Sequence, residues 1–186
     1  MSEIIFSKQY SMDIRELRNS ILSALYSVMA TTLFEDMVRR NWFNSQGNEE
    51  EIYPYFTEAL RRLLGGFIKG IGPGKIRNRG EKVDCLVELP SGIYAVELKG
   101  PSKDHAFITK GISEDSCKLL TLKSASCIHY GIAIGIFIER TTLQSEYQRV
   151  LMLDNTSVGV KVEIKETEQA TESDSGSSST PLPPFS

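Results

Sequence analysis

The sharpest chemical signal in this sequence is carried by two acids and a lysine. Asp84 stands in Val83-Asp84-Cys85-Leu86-Val87-Glu88-Leu89, and Ile93-Tyr94-Ala95-Val96 runs straight into Glu97-Leu98-Lys99. Both runs are short and apolar, and Pro90-Ser91-Gly92 between them has turn chemistry, so the segment reads as a β-hairpin. Leu89-Pro90-Ser91-Gly92 fits a type I turn with Pro second and Gly fourth, which pairs Glu88 with Ile93. Counting back along both strands puts Asp84 opposite Glu97, on one face, with Cβ atoms roughly 4.5–5.5 Å apart. Lys99, two residues further on, points to that face as well. A three-residue loop would shift the register by one and separate the two acids.

Burying two carboxylates side by side is costly unless a cation neutralises them. Together they make a hard oxygen site for Mg²⁺, with Mn²⁺ as a substitute, and a neighbouring ammonium can orient a water and offset charge building on a phosphate. That is the arrangement of a metal-dependent phosphodiester hydrolase. The plain alternative is a cross-strand salt bridge between Lys99 and one of the acids. Lys69, Lys75, Arg77, Arg79 and Lys82 fall within 14 residues against the single acid Glu81, with glycines among them that let backbone approach phosphates. They read as a nucleic-acid contact, DNA being the expected partner, or as a solvated basic loop. His105 and His129 are isolated from any nucleophile that would make a triad. Gly70-Ile-Gly-Pro-Gly-Lys75 lacks the spacing of a phosphate-binding loop.

At these residues the sequence resembles the PD-(D/E)XK nuclease superfamily, with its restriction-endonuclease-like fold: Val83-Asp84, a strand and turn, then Val96-Glu97-Leu98-Lys99. Val83 replaces the proline of the motif's name. The resemblance covers residues 48–139 and implies that Asp84, Glu97 and the carbonyl of Leu98 bind the metal and that Lys99 assists the attacking water. It also implies an acid from the helix preceding the first core strand. Glu51-Ile-Tyr-Pro-Tyr-Phe-Thr-Glu58-Ala-Leu-Arg-Arg-Leu-Leu-Gly65 is similar to the opening helix of nuclease domains in restriction motor subunits, and by that spacing Glu51 is the choice, with Glu50 and Glu58 as rivals. Lys118 matches a position where the family often carries a Lys or Gln near the site; otherwise it is a solvent lysine beside Glu114.

The elements that must hold these residues follow from periodicity and punctuation. Asp13-Ile-Arg-Glu16 opens a helix, and apolar residues from Ile14 to Val38 recur at three- and four-residue spacing without Gly or Pro, predicting one long amphipathic helix to about Trp42. Its length points to a homodimer contact besides its own core. A second helix spans Asn48 to Leu64, opened by three acids and ended by Gly65-Gly66. Phe67 to Ile71 and Lys75 to Arg79 read as strand pieces around a Gly72-Pro73-Gly74 turn. Ser113 to Ser124 reads as a helix and Tyr130 to Ile138 as a strand buried on both faces. Thr142 to Arg149 follows as a short helix and Val158 to Ile164 as an edge strand. The sum is an α/β (α+β) domain over residues 1–165, with a helical extension at 1–46 and a mixed four- to five-stranded sheet flanked by helices.

Composition sets the remaining bounds. With 186 residues, 40% hydrophobic and 24% charged, the chain reads as one globular domain. Its apolar runs are too short for a membrane span, and its first residues lack signal-peptide order, which predicts no membrane association and an intracellular location. Three cysteines without ligand spacing indicate neither a disulfide framework nor a zinc module. The last segment, 166–186, is acidic and rich in Ser, Thr and Pro and reads as disordered. Four of the 24 acids lie in it, leaving 21 bases against 20 acids in the rest of the chain. A near-neutral body favours a non-catalytic nucleic-acid-binding or assembly protein; three intact catalytic-type residues favour an Mg²⁺-dependent DNA endonuclease or resolvase-like nuclease.

Overall fold

The computed structural model describes residues 12–44, 49–68, 70–76, 80–140 and 149–167. Helix α1 (Ile14–Met29) starts where the sequence places it: Asp13 accepts the Arg15 N–H and Glu16 closes a capping box. The chain then departs from the single long helix. It bends by 75° and resumes as α2 (Thr32–Asn44). Thr31 makes the break, because its hydroxyl donates to the Val28 carbonyl at 2.6 Å, closing α1, and accepts the Phe34 N–H at 3.2 Å, opening α2. The apolar spacing carries across the bend since Leu17, Ile21 and Leu25 of α1 and Phe34, Met37 and Val38 of α2 bury in one core of this chain.

A 3₁₀ turn (Glu49–Glu51) precedes α3 (Tyr53–Leu64), which ends at Gly65, whose positive φ of 55° glycine adopts without a Cβ penalty. Strand β1 (Gly70–Lys75) runs through Gly72-Pro73-Gly74, where two strand pieces and a turn are expected. A register shift between Gly72 and Gly74 lets Pro73 sit on an edge strand, where its missing N–H costs little. The hairpin of β2 (Lys82–Leu89) and β3 (Gly92–Ser102) has the predicted register, with Glu88 opposite Ile93 and Cys85 opposite Val96.

Helix α4 (His105–Ser124) begins eight residues before the expected Ser113, with Asp104 capping it through the Phe107 N–H. Ser113 lies inside the helix and bonds back to the Thr109 carbonyl. A Cβ at Gly111 would lie 2.9 Å from the Lys99 side chain, so the glycine admits that lysine's stem. Strand β4 (Tyr130–Arg140) is parallel to β3, with α4 as the crossover.

The last two strands correct the sequence reading. Arg149 opens β5 (Arg149–Leu153) instead of ending a helix; residues 142–148 lie outside the described residues. Strand β6 (Thr156–Glu166) pairs with both β4 and β5 and is therefore interior. The sheet has six strands, one more than expected, in the order β1-β2-β3-β4-β6-β5. Glu166, where the tail was expected to begin, ends β6. It pairs with Arg18 at 3.0 Å and accepts the Tyr130 hydroxyl, and the Thr167 N–H bonds to the Gly131 carbonyl. Residues 168–186 lie outside the described residues.

The mixed sheet is thus flanked by helices on both faces. A large apolar core lies on the side of α1, α2 and α3, and a smaller one lies under α4. Among the described residues no single helix is long and apolar enough to cross a membrane; α1 and α2 meet that test only as a bent pair.

Candidate active site

Alternation along β3 decides what the site contains. Tyr94, Val96 and Leu98 enter the large core, while Ala95 faces α4, and Glu97 and Lys99 share its parity. Across the hairpin, Asp84 joins them where the strand pairing ends. One step past Cys85–Val96, the Asp84 side chain takes over from the ladder and accepts the Leu98 N–H at 2.9 Å. The site is therefore the frayed end of a hairpin, held together by one of its own carboxylates.

Glu97 is only 3% exposed. Burial pushes its carboxyl up to about 8, the neighbouring Asp84 carboxyl adds to the rise, and the Lys118 ammonium, 2.5 Å away, pulls the other way. Lys118 also lies 3.6 Å from Asp115 and donates to the Lys82 carbonyl at 3.2 Å. Glu114, the partner the sequence offered to Lys118, pairs instead with Lys110. Burial raises the Asp115 carboxyl, against the pull of Lys99 and Lys118. Neither Oε1 of Glu97 nor Oδ2 of Asp115, both buried, has an aligned hydrogen-bond donor.

Lys99 is held by Glu49 at 3.2 Å and by Asp115 at 3.8 Å. Burial alone would lower its pKa; Glu49, Asp115 and Asp84 outweigh it and raise it. The amine stays an ammonium at neutral pH. Glu49 reaches with its other oxygen to the Gly100 N–H at 3.4 Å. Tyr53, at the start of α3, directs its hydroxyl toward the Leu98 carbonyl at 3.5 Å, and burial, then Asp84 and Glu49, drive its pKa far upward.

Glu51 is not in this cluster. Its carboxylate takes a bidentate pair of bonds from Arg40 at 2.6 and 3.0 Å, which hold it below the usual carboxylate range. The spacing argument assumed a continuous helix, but residues 49–51 form a 3₁₀ turn, whose three-residue period sends consecutive acids in three directions. Glu49 turns to Lys99, Glu51 to Arg40, and Glu50 lines a neighbouring cleft. Glu58 pairs with Arg62 and Arg61 on the outer face of α3.

That cleft, of about 760 Å³, runs from Asp84 past Tyr53 and Gly72-Pro73-Gly74 to Arg61, with Lys75 and Lys82 on its wall. The two lysines face each other across β1 and β2. Of the expected phosphate contacts, Lys69, Arg77 and Arg79 lie outside the described residues.

No family model, curated protein or solved structure matches the chain. The geometry alone therefore carries the chemistry. Asp84, Glu97 and the Leu98 carbonyl could supply hard oxygen donors of the kind Mg²⁺ takes. Among the described residues no three His, Cys, Asp or Glu side chains close on one point; the third oxygen of this set is a backbone carbonyl. Fully ionised, Asp84, Glu97, Glu49 and Asp115 exceed Lys99 and Lys118 by two charges, which one divalent cation would balance.

Sequence reasoning brings in Asp84, Glu97, Leu98, Lys99 and Lys118. It misses Glu49, Asp115 and Tyr53. Asp115-x-x-Lys118 is a legible i,i+3 pair on one helix face. Tyr53 leaves no such signal.

Proposed function

We propose that the protein is an Mg²⁺-dependent DNA endonuclease or resolvase-like nuclease of the PD-(D/E)XK type. The observation that carries this reading is the frayed hairpin end, where the Asp84 carboxylate accepts the Leu98 N–H beside the buried Glu97 carboxyl and near a lysine kept charged. The order of α3, the β1–β3 meander, α4 and β4 resembles the restriction-endonuclease-like core, and supports the same reading.

Asp84, Glu97 and the Leu98 carbonyl would hold the metal, which when bound supplies Lewis acidity toward a phosphoryl oxygen and an acidified water. Glu97 must give up its proton for this, so metal uptake releases one. Lys99 keeps its proton and therefore acts by charge, orienting the incoming water and countering the negative charge that grows on the phosphoryl oxygens. Water's oxygen bonds to phosphorus and gives up a proton to solvent as one P–O ester bond breaks, and the leaving oxygen takes a proton from solvent. Glu49 and Asp115 fix the Lys99 amine. Tyr53 braces the Leu98 carbonyl. Lys75 and Lys82 contact backbone phosphates along the 760 Å³ cleft.

A second reading is a non-catalytic nucleic-acid-binding protein of the same fold. One observation favours it: Lys118 on Glu97 and Lys99 on Glu49 already give these acids counter-ions. Cleavage of duplex, nicked, branched and single-stranded DNA in Mg²⁺ or Mn²⁺ separates the two. Asp84→Asn should lower cleavage by about 10²–10³-fold or more while binding holds or strengthens. Wild-type protein that binds DNA and cuts nothing on the panel would establish the second reading.

A further inference from the structure

The sheet ends differently on its two sides. On one side, β1 carries what keeps an open strand from pairing with another: Pro73, a register shift between Gly72 and Gly74, and Lys75 at its end. On the other side, β5 carries none of these. Arg149 opens it, and Val150, Leu151, Met152 and Leu153 follow with no charge, proline or bulge. Among the described residues no strand pairs with its outer side.

Which backbone groups are left open follows from the turn. Asp154 and Asn155, at φ 46° and 65°, make the two-residue turn of the β5–β6 hairpin. Leu153 and Thr156 flank it and share the turn's hydrogen bond, so by alternation Leu153, Leu151 and Arg149 direct their N–H and C=O groups to β6. Val150 and Met152 direct theirs outward. Their side chains, 40% and 63% exposed, stand together on the sheet face opposite the buried Leu151 and Leu153.

We propose that β5 pairs antiparallel with β5 of a second copy of this chain, about a two-fold axis at Leu151, joining the two sheets into one. Val150 of each copy then lies opposite Met152 of the other, so the outward-facing groups exchange backbone hydrogen bonds and exposed apolar side chains come together. The strand is its own complement in charge as well. Arg149 stands at its start and Asp154 just past its end, so the antiparallel direction sets opposite charges side by side at both ends. Glu35 and Arg39 of α2 already hold these two; the charges therefore choose the direction, and backbone and apolar contacts supply the affinity. The apolar residues of α1 and α2, where the sequence puts a dimer contact, fill the chain's own core instead. The inference stands apart from the nuclease reading.

Sedimentation velocity of the full-length protein, from about 1 to 100 µM to cover weak dimers, tests the pairing. Wild type should pass from one chain's mass to two. Val150→Lys with Met152→Lys, both at exposed positions, sets lysine against lysine at each outward-facing pair and should raise the dimer Kd by at least about 10²-fold. Val150→Lys with Met152→Glu sets each lysine against a glutamate of the other copy in this register, and should bring the Kd back to within about tenfold of wild type. Hydrogen exchange needs no variant: in wild type the Val150 and Met152 amides should exchange more slowly as concentration rises, while that of Leu151, already bonded to β6, changes little. A wild type that stays one chain at every concentration, a double-lysine variant that still dimerises, a lysine–glutamate variant no better than it, or Val150 and Met152 amides indifferent to concentration would each overturn the pairing.

Discussion

The two faces of the sheet are built to opposite rules by the same strands. On the side of α1, α2 and α3, residues such as Ile21, Leu25, Phe34, Val96, Leu98 and Ile134 make the larger apolar core. On the α4 side the core is smaller, and at its edge lie Glu97, Lys99, Asp115 and Lys118 in mutual contact. Leu98 and Glu97 are neighbours in one strand, yet one secures the fold and the other is a buried carboxyl. Burial on the larger apolar core thus offsets, through the hydrophobic effect, the cost of desolvating the carboxylates beside the smaller one.

Substitutions on each face should therefore read out differently. The largest stability effect is expected on the apolar face, where Phe34→Ala removes a fully buried ring and should cost about 3–5 kcal/mol in urea unfolding. A smaller loss would mean that α2 is less tightly docked than its burial implies.

Next comes the pH dependence of the charged face. Folded Glu97 keeps its proton up to about pH 8, whereas the unfolded side chain releases it near 4.5. Between these values the folded state binds more protons, so stability without metal should fall as pH rises through that window. Asp115, raised in the same sense, adds to the slope. Glu97→Gln should flatten most of it and leave the protein at least as stable at pH 8. An unchanged slope would place the titration elsewhere.

Asp115→Asn should be milder. It frees the Lys99 and Lys118 amines without opening a cavity, so on the nuclease reading kcat should fall by up to about 10²-fold, the cost of a misplaced group, with stability near wild type. The smallest contrast separates two acids of one turn. Glu49→Gln should reduce cleavage, whereas Glu51→Gln, which disturbs only a half-exposed pair with Arg40, should leave cleavage unchanged and stability within about 1 kcal/mol. Equal effects on activity would return Glu51 to the site.

Much of this was legible in the residue order. Leu89-Pro90-Ser91-Gly92 set the hairpin register locally, and register with a period of two is enough to put Asp84, Glu97 and Lys99 on one face. The Ile-rich run from Tyr130 likewise declared a strand buried on both sides. Where the local reading failed, the deciding interactions were small or distant. The Thr31 hydroxyl broke a helix that periodicity carried through, and the stem of Lys99, arriving from another element, made Gly111 acceptable inside α4.

What the sequence determined by itself was therefore the strand pair and its acids, because hairpin geometry depends on a few adjacent residues. Which partner each charge finds was decided only in three dimensions. Glu49 rather than Glu51 reaches Lys99, and Lys118 rather than Lys99 lies on Glu97, because the 3₁₀ turn and the docking of α4 across β3 set those directions. Both are consequences of packing between segments far apart in the chain, and neither is encoded in spacing along it.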